Sequence, residues 1–262
     1  MSLAKKTLKN SYIDLLQMDN SNSGIDGSAR KIKDGGGDSS ALSISDDVVA
    51  IAPVNDDTAA TLVVADKSGT TLFKVDSSGS VVEALGNTVN TQYATFSTVN
   101  AASATFAANT HHPLTFGNAN YGSLGDLPSF GTGTDPATTF TTSEGNDTRA
   151  SCLVPCLWYV PDAISIDSII SIEGADTATG DTSRMHCLSY TFTSGATNCL
   201  TSGTLLAHNS DVTNAGSEQP YLTTWTIDSA AVTAGKVILA FFESDSINSD
   251  YSVQITVKYH LT

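Results

Sequence analysis

Two adjacent histidines, His111 and His112, are the residues of this sequence whose type could do chemistry most directly. Imidazole nitrogens bind metal ions and take up protons near neutral pH. If several copies of the chain met on an axis at this point, the pairs could surround a metal ion or an anion. Adjacent histidines in a loop-rich segment are more often exposed residues without a ligand. We therefore predict no metal site and no cofactor, and we keep this pair as the candidate to examine.

Two pairs of adjacent acids are the next candidates, because paired carboxylates can divide general acid and base roles between them. The pairs are Asp46 with Asp47 and Asp56 with Asp57. Both lie among turn-forming residues beside short apolar runs, where we expect no pocket for a substrate. We interpret them as solvated turn residues.

The four cysteines all lie in the C-terminal half of the chain, at Cys152, Cys156, Cys187 and Cys199. A structural zinc site usually contains C-x-x-C pairs, which this spacing does not reproduce. We predict that the cysteines are small buried apolar side chains. The sequence leaves open whether any of them form disulfides.

Sequence motifs that carry catalytic chemistry are absent. The chain contains no G-x-S-x-G, no H-E-x-x-H, no Walker loop and no G-x-G-x-x-G after an apolar run. Aromatic residues make up 7% of the chain and are not interleaved with basic residues, as stacking on single-stranded nucleic acid would require. We predict that the protein is not an enzyme and does not bind nucleic acid.

Charge is distributed unevenly along the chain, whose net charge is −15. Residues 1–33 carry six of the twelve basic side chains and only three acids, so the rest of the protein is strongly acidic. An acidic body repels nucleic acid and anionic membranes, whereas a basic N-terminus can bind an acidic protein surface. No segment has the length and apolarity of a signal peptide or a membrane span. We predict neither export through the Sec route nor membrane insertion.

The elements that carry these residues are predicted to be mostly β. Polarity comes mainly from Ser, Thr, Asn and Gly, which favour short strands and turns over long helices. Residues 1–40 are predicted to be an extended anchoring segment that binds another chain, because their apolar residues cannot form a core alone. Those apolar residues are Tyr12, Ile13, Leu15, Leu16 and Met18.

Residues 41–110 are predicted to form a β-meander neck followed by a thin shaft. The strands are expected at "LSISDDVVAIAP", "ATLVVA", "TTLFKV" and "SVVEA", and the turn D-x-S-G occurs twice, at Asp66 and at Asp76. In such a turn the Asp side chain bonds back to the backbone and Gly supplies the open backbone angle. Strands this short are marginal alone, so "TTLFKV" is expected to bury Leu72 or Phe73 between copies of the chain.

The shaft is predicted from residues 87–110, which contain no charged side chain. The sequence Y-A-T-F at Tyr93 is followed ten residues later by S-A-T-F. Small residues with one bulky side chain per repeat suit a rod in which several identical chains share an axis. A flexible linker is the alternative. The bulky residues are Val89, Tyr93, Phe96, Val99 and Phe106.

Residues 111–262 are predicted to fold as a self-contained antiparallel β-sandwich, most simply a jelly roll. Seven or eight apolar runs, from "SCLVPCLWYVP" to "DYSVQITVKYHLT", occur without helical periodicity between them. In the last run Val253, Ile255 and Val257 alternate with polar residues, which predicts one buried and one exposed face. His186, His208 and His260 are expected on or beside strands, with neighbours that satisfy them.

Two stretches of the N-terminal part resemble a known family. They are "LKNSYIDLLQMDNSNSGIDGSARKIKDGGGDSSALSIS" and "GTTLFKVDSSGSV", and they are similar to the N-terminal and neck modules of fibre proteins of tailed bacteriophages, especially marine ones. The resemblance covers about the first 110 residues. It implies a homotrimer whose N-terminus attaches to the virion and whose C-terminal heads point outward.

The resemblance carries over to individual residues only in the anchor and the meander. In the virion anchor these are Tyr12, Asp14, Leu15 and Leu16, to which the apolar pattern adds Ile13 and Met18. In the meander they are Leu72, Phe73 and Val75, and the shaft adds further candidates for a trimer interface. Those candidates are Tyr93, Phe96, Val99 and Phe106.

These observations predict a structural virion protein, assembled in the host cytoplasm, that presents its heads for attachment to the host surface. Its partners would be its own copies, other tail, portal-proximal or capsid proteins through the N-terminus, and a host-surface glycan. One alternative is a head fibre or capsid decoration protein without a receptor role, since the chain is short for a tail fibre. The other is a carbohydrate-binding or carbohydrate-active sandwich.

Overall fold

The computed structural model describes residues 16–18, 20, 24–55, 61–100, 108–117, 130, 154–176, 180–196, 199–216, 219–245 and 250–262. Within these residues the protein is mostly β, its sheets are antiparallel, and the sole helical element is a 3-10 turn at Val154–Cys156. The prediction of a mostly β protein is confirmed. The chain divides into two compact units, Met1–Val89 and Asn90–Thr262.

The N-terminal unit begins with a four-stranded meander. Its strands are β1 (Gln17–Met18), β2 (Arg30–Lys33), β3 (Ser39–Ile44) and β4 (Val49–Ile51). Strand β2 lies inside the segment predicted to be an extended anchor, so this sheet crosses the expected boundary at residue 40. Strand β2 was not predicted from the sequence, because basic residues surround its one apolar residue, Ile32.

A second four-stranded meander completes the N-terminal unit. Its strands are β5 (Leu62–Ala65), β6 (Thr71–Asp76), β7 (Val81–Ala84) and β8 (Asn87–Thr88). The first three coincide with the runs "ATLVVA", "TTLFKV" and "SVVEA", as predicted. The two D-x-S-G turns connect β5 to β6 and β6 to β7.

The C-terminal unit contains two sheets, one of six strands and one of seven. Their strands are β9 (Thr91–Asn100), β10 (His112–Pro113), β11 (Thr115–Phe116), β12 (Trp158–Tyr159), β13 (Ile164–Asp176), β14 (Thr182–Phe192), β15 (Leu200–His208), β16 (Val212–Thr213), β17 (Gln219–Thr224), β18 (Thr226–Ile227), β19 (Ala231–Val232), β20 (Lys236–Ser244) and β21 (Asp250–Leu261). The first sheet has the order β11-β9-β21-β13-β17 with β19 beside β13. The second has the order β10-β20-β14-β15-β18, with β12 beside β20 and β16 beside β14.

The hydrophobic core of this unit lies between the two sheets. Phe96 of β9 packs edge-on against Trp158 of β12 at a centroid distance of 6.3 Å, and Phe242 of β20 contacts Tyr251 of β21 at 4.8 Å. The alternation predicted for the last strand is confirmed: Val253, Ile255 and Val257 are buried, and the residues between them face outward. Two antiparallel sheets thus share one core, as expected of a sandwich.

Strand β9 corrects the prediction of a shaft. Its residues pair with β21 over a continuous register from Thr91 opposite His260 to Asn100 opposite Tyr251. Phe96 is completely buried in the core of its own chain. The boundary between neck and sandwich, predicted at residue 110, therefore lies before Thr91. The strand was not predicted because β9 buries mostly small residues, such as Ala94 and Thr98, and so lacks the apolar alternation of an ordinary strand.

The seven-stranded sheet is buried on both faces along its central strands. Every residue from Val237 to Ser244 of β20 is buried. On the side away from the other sheet, Phe130 packs against Tyr190 and Phe241 at centroid distances of 6.1 and 4.9 Å. The continuous apolar run in "KVILAFFES" is typical of a strand covered on both sides.

Candidate functional site

One face of the second meander of the N-terminal unit is apolar across its three longer strands, β5, β6 and β7. The register places Leu62, Val75 and Val82 side by side across strands β5, β6 and β7, and does the same for Val64, Phe73 and Ala84. Because residues two apart on a strand share a face, these six side chains form one surface. We call this surface the meander apolar face.

The opposite side of the same sheet is charged. Val63, Lys74 and Glu83 lie in register across the three strands. The Nζ of Lys74 lies 3.1 Å from Oε2 of Glu83 and 3.8 Å from Oδ2 of Asp76. The two sides therefore differ in charge: the ion pairs lie on one side, together with Val63 and Leu72, and the other side has no charged residue in these three strands.

The meander apolar face is not buried within its own unit. Val64 is 48% exposed and Val82 is 38% exposed. Among the described residues of Met1–Val89 no apolar side chain is buried, whereas the buried apolar side chains begin at Ala94. An isolated small sheet of this kind is marginal in water, so the face is a candidate site for association.

The interface residues predicted in the meander lie on two different sides of its sheet. Phe73 and Val75 lie on the meander apolar face. Leu72 neighbours Phe73 on the strand, so its side chain points to the opposite side, where it is 39% exposed. Of the two residues expected to be buried between copies of the chain, only Phe73 therefore lies on the meander apolar face.

The two D-x-S-G turns fix the meander through their aspartates. Oδ1 of Asp66 accepts hydrogen bonds from the backbone N of Ser68 and of Thr70, both at 2.8 Å. Oδ1 of Asp76 accepts a bond from the backbone N of Gly79, also at 2.8 Å. These bonds favour the charged carboxylates and lower the pKa of both aspartates. The predicted role of the Asp side chain is confirmed in both turns.

The two turns differ in which residue has a positive φ angle. In the first turn it is Gly69, with φ of 88°, as the sequence predicted. In the second it is Ser80, with φ of 55°, and not Gly79. The same four-residue motif thus closes two different turns, because the second turn extends over Ser77–Ser80.

The remaining anchor and interface candidates are placed as follows. Leu16 is 69% exposed, and Met18 pairs with Ile32 across β1 and β2. Tyr93 is 65% exposed on the outer side of β9, and the backbone of Val99 pairs with Ser252. Val89 is 58% exposed. Tyr12, Ile13, Asp14, Leu15 and Phe106 lie outside the described residues.

His111 and His112 are buried, so the expectation that they are exposed loop residues is wrong. His111 is completely buried, and its ring lies 4.8 Å from that of His186. His112 lies in β10, opposite Phe242 of β20. His111 therefore helps to cover the seven-stranded sheet and His112 belongs to that sheet, which the sequence could not indicate because their partners are more than 70 residues away.

The other histidines lie on strands, as predicted. Nδ1 of His208 lies 2.7 Å from Oδ2 of Asp228, and Nδ1 of His260 lies 2.8 Å from Oδ1 of Asp167. Burial and the neighbouring His111 lower the pKa of His186 to about 3. In the part of the chain that the structure describes, no group of three His, Cys, Asp or Glu side chains is placed to hold a metal ion.

Sequence reasoning missed a charged cluster on the seven-stranded sheet, in which Arg184 and Glu243 are buried and Asp211 is exposed. Arg184 of β14 makes two hydrogen bonds to the carboxylate of Asp211, at 2.9 and 3.1 Å, and one of 2.8 Å to Glu243 of β20. These carboxylates raise the pKa of Arg184. The guanidinium is committed to two carboxylates, so the cluster is a structural ion-pair network. No spacing in the sequence links these three residues.

A small cleft with one unusual carboxylate lies at one end of the sandwich. It encloses about 230 Å³ together with its open mouth, and it is lined by Glu173, Gly174, Asp181, Ser183, Val212, Asn214, Tyr221 and Tyr251. Burial raises the pKa of Glu173 to about 7. The hydroxyls of Ser183 and Thr223 each donate to its carboxylate at 3.3 Å.

The cysteines and paired acids are placed largely as expected. Cys156 and Cys187 are buried, and Cys199 is partly buried. Burial raises the pKa of Cys187 to about 12, which makes it an inert core residue. Asp46 and Asp47 are exposed bend residues. Cys152, Asp56 and Asp57 lie outside the described residues.

The sequence matches no protein-family model and no curated protein. In the described residues, no helix has both the length and the apolarity needed to cross a membrane.

Proposed function

We propose that this protein is a structural component of a tailed-phage virion, a homotrimeric fibre without catalytic activity. Its N-terminus joins the particle, its N-terminal unit holds the copies together, and its C-terminal units serve as heads for attachment to the host surface. The virion assignment comes from the resemblance of the N-terminal motifs to phage fibre proteins.

One observation carries the assembly part of the proposal: the N-terminal unit has an apolar face and no buried apolar side chain among its described residues. A chain that cannot bury this face alone gains stability when identical copies bury it together. The face contains no charge, so copies related by symmetry can approach without repulsion between like charges. The ion pairs of Lys74 lie on the opposite side and remain in water.

The strand order of the C-terminal unit supports a jelly-roll head. Its eight principal strands are β9, β10, β13, β14, β15, β17, β20 and β21. Numbered one to eight along the chain, they follow the order 1-8-3-6 in one sheet and 2-7-4-5 in the other. This order is that of two interlocked Greek keys, an architecture common in viral structural proteins and lectins.

The side chains of the head also support a non-catalytic role. The strongest candidates for acid–base chemistry are Glu173 and His186, which are only 3% exposed. They lie on different sheets. General acid or base catalysis requires contact with a substrate, which burial prevents for His186 and restricts for Glu173 to the cleft that it lines.

A pair of adjacent valines tests the association. Val63 and Val64 are both 48% exposed, but only Val64 lies on the meander apolar face. Val64→Asp should convert the oligomer into monomers at micromolar concentration, as measured by light scattering. Val63→Asp places the same charge opposite Lys74 and should leave the mass unchanged. A wild-type monomer, or equal behaviour of the two variants, contradicts the proposal, and a wild-type mass of two or four chains contradicts the trimer.

Removal of residues 1–35 tests the anchor. The shortened chain should remain soluble and oligomeric, because the second meander and the C-terminal unit are retained. It should no longer be incorporated into particles when it is supplied during phage assembly. The full-length chain with Val63→Asp provides the control, and undiminished incorporation of the shortened chain would refute the anchor.

Two alternatives share the same fold. A capsid decoration or head-fibre protein would use the same anchor and the same association, and a map of the intact particle distinguishes it from a tail fibre. A carbohydrate-binding role is favoured by one observation, the cleft that brings Tyr221, Asn214 and Asp181 together. Binding to a glycan array that is lost in Tyr221→Ala identifies this role, and shortening of a polysaccharide on incubation identifies an enzyme.

A further inference from the structure

The outer side of the six-stranded sheet forms a second surface, which no other element covers in the part of the chain that the structure describes. Along β9, β21, β13 and β17, residues that alternate with the buried ones point outward in register. Ile172 lies opposite Leu222 on one side and Gln254 on the other, and Gln254 lies opposite Ser97. We call this surface the outer sheet face. It comprises Tyr93, Thr95, Ser97, Ser168, Ile170, Ile172, Leu222, Thr224, Ser252, Gln254, Thr256 and Lys258.

Large apolar side chains are exposed on the outer sheet face. Leu222 is 74% exposed, Ile172 is 50% exposed and Ile170 is 40% exposed. The register makes them one patch, and Tyr93, 65% exposed, lies across the sheet beside Lys258. The equivalent side of the seven-stranded sheet is different, since Phe130 and His111 of the same chain cover it. One sheet of the sandwich is thus closed by its own chain and the other is left open.

The charge of the outer sheet face indicates the kind of partner. Residues 90–262 contain fifteen acidic and four basic side chains, a net charge of −11. Among the twelve residues of the outer sheet face only Lys258 is charged, and next to them on the same side lies the pair formed by His260 and Asp167, so this side carries little net charge. Two copies of a strongly acidic unit repel each other through most of their surfaces. A nearly neutral apolar face is where they can approach, whereas a basic partner would bind elsewhere, on the acidic surface.

We infer that the outer sheet face is an interface between C-terminal units of neighbouring copies of this chain, with Ile172 and Leu222 at its centre. The inference rests on the proposed function, in which the N-terminal unit already brings the copies together. Joined chains raise the effective concentration of their C-terminal units to the millimolar range. A contact of moderate intrinsic affinity then suffices to hold the units together. The cleft that contains Glu173 lies on the inner side of the sheet and is not covered by this contact.

The experiment uses the fragment of residues 90–262, which contains a complete core of its own. Sedimentation equilibrium at concentrations up to about 100 µM should show self-association of the fragment. In this range a loss of affinity caused by substitution of a central apolar pair is measurable. The double variant Ile172→Asp/Leu222→Asp should raise the dissociation constant at least about 30-fold. Both residues are exposed, so the near-ultraviolet circular dichroism spectrum of the variant should match that of the wild type.

Val154→Asp is the matched control, because Val154 is 63% exposed and lies outside the outer sheet face. It should leave the dissociation constant unchanged. A wild-type fragment that is monomeric at every concentration overturns the inference, and so does a folded double variant that still associates like the wild type. Neither result bears on the association of the N-terminal unit, which the Val63 and Val64 variants test in the full chain.

Discussion

At the scale of single residues, two buried ionisable side chains of the C-terminal unit have opposite effects on folding stability as the pH changes. Burial raises the pKa of Glu173 from 4.5 to about 7, and burial lowers the pKa of His186 from 6.5 to about 3. Each is therefore neutral in the folded protein over a range where it is charged in the unfolded chain. Between pH 4.5 and 6.5, acidification strengthens the fold through Glu173 and weakens it through His186.

Glu173→Gln should stabilise the protein at alkaline pH. Because the folded pKa of Glu173 lies above the unfolded one, its contribution is complete below pH 4.5 and is lost as the pH rises through about 7. The neutral amide avoids that loss. We expect the free energy of unfolding at pH 8 to exceed that of the wild type by about 3 kcal/mol. Urea denaturation at pH 4 should give equal values, and a difference that does not depend on pH would contradict the assignment.

His186 should remain neutral in the folded protein down to pH 4. Its folded pKa of about 3 lies below the unfolded one, so its contribution to stability is present above pH 6.5 and is lost as the pH falls. The measurement is the pH dependence of the carbon and proton chemical shifts of its ring in NMR spectra. His186→Gln identifies the resonance. A titration of this ring between pH 5.5 and 7 would show that the site is open to water.

At the scale of elements, register decides what each short strand does. In β6, Phe73 and Val75 share a face with Leu62 and Val82, while Lys74 joins Glu83 on the other side. One residue of slippage would place the charges of Lys74 and Asp76 among the apolar side chains. The two aspartate turns prevent this, since each fixes the length of the connection on either side of β6.

The two glycines of the repeated turn should respond differently to alanine. Gly69 has φ of 88°, a conformation that costs an alanine about 1 to 2 kcal/mol. Gly79 has no such angle, and an added Cβ would meet the carboxylate of Asp76 at 3.4 Å, an ordinary contact distance. Gly69→Ala should lower the Tm of the oligomer at a fixed protein concentration, and Gly79→Ala should leave it nearly unchanged. Equal shifts would contradict the difference between the turns.

At the scale of the whole molecule, hydrophobic burial is concentrated in one unit. The core cluster lies entirely within Asn90–Thr262, and the described residues of Met1–Val89 contribute no buried apolar side chain to it. The C-terminal unit therefore gains stability from its own sheets, and we propose that association stabilises the N-terminal unit.

The two units should behave differently as separate fragments. Residues 90–262 should unfold cooperatively in urea even at concentrations low enough to keep the fragment monomeric. Residues 1–89 should fold only as an oligomer, so dilution should abolish their β signal in circular dichroism. A fragment 1–89 that remains a folded monomer at submicromolar concentration would contradict the need for association.

The sequence alone determined the features that depend on nearby residues. The mostly β composition, the meander strands, the aspartates of the two turns and the alternation in "DYSVQITVKYHLT" all follow from local propensity and period. The apolar strand β20 was predicted equally well, because burial on both faces forces a continuous apolar run. The strand that carries Phe73 and Val75 was predicted from its local sequence, and their burial between copies of the chain stays a prediction.

Only the tertiary structure decided what depends on distant pairing. Thr91–Asn100 became a strand of the sandwich because β21, about 160 residues later, pairs with it. Burial of His111, and the ion pairs that join Arg184 to Asp211 and Glu243, also arise between segments far apart in the chain. Propensity acts within a few residues, whereas a sheet joins strands at any separation, so the sequence specified the strands and the fold decided which faces they leave open.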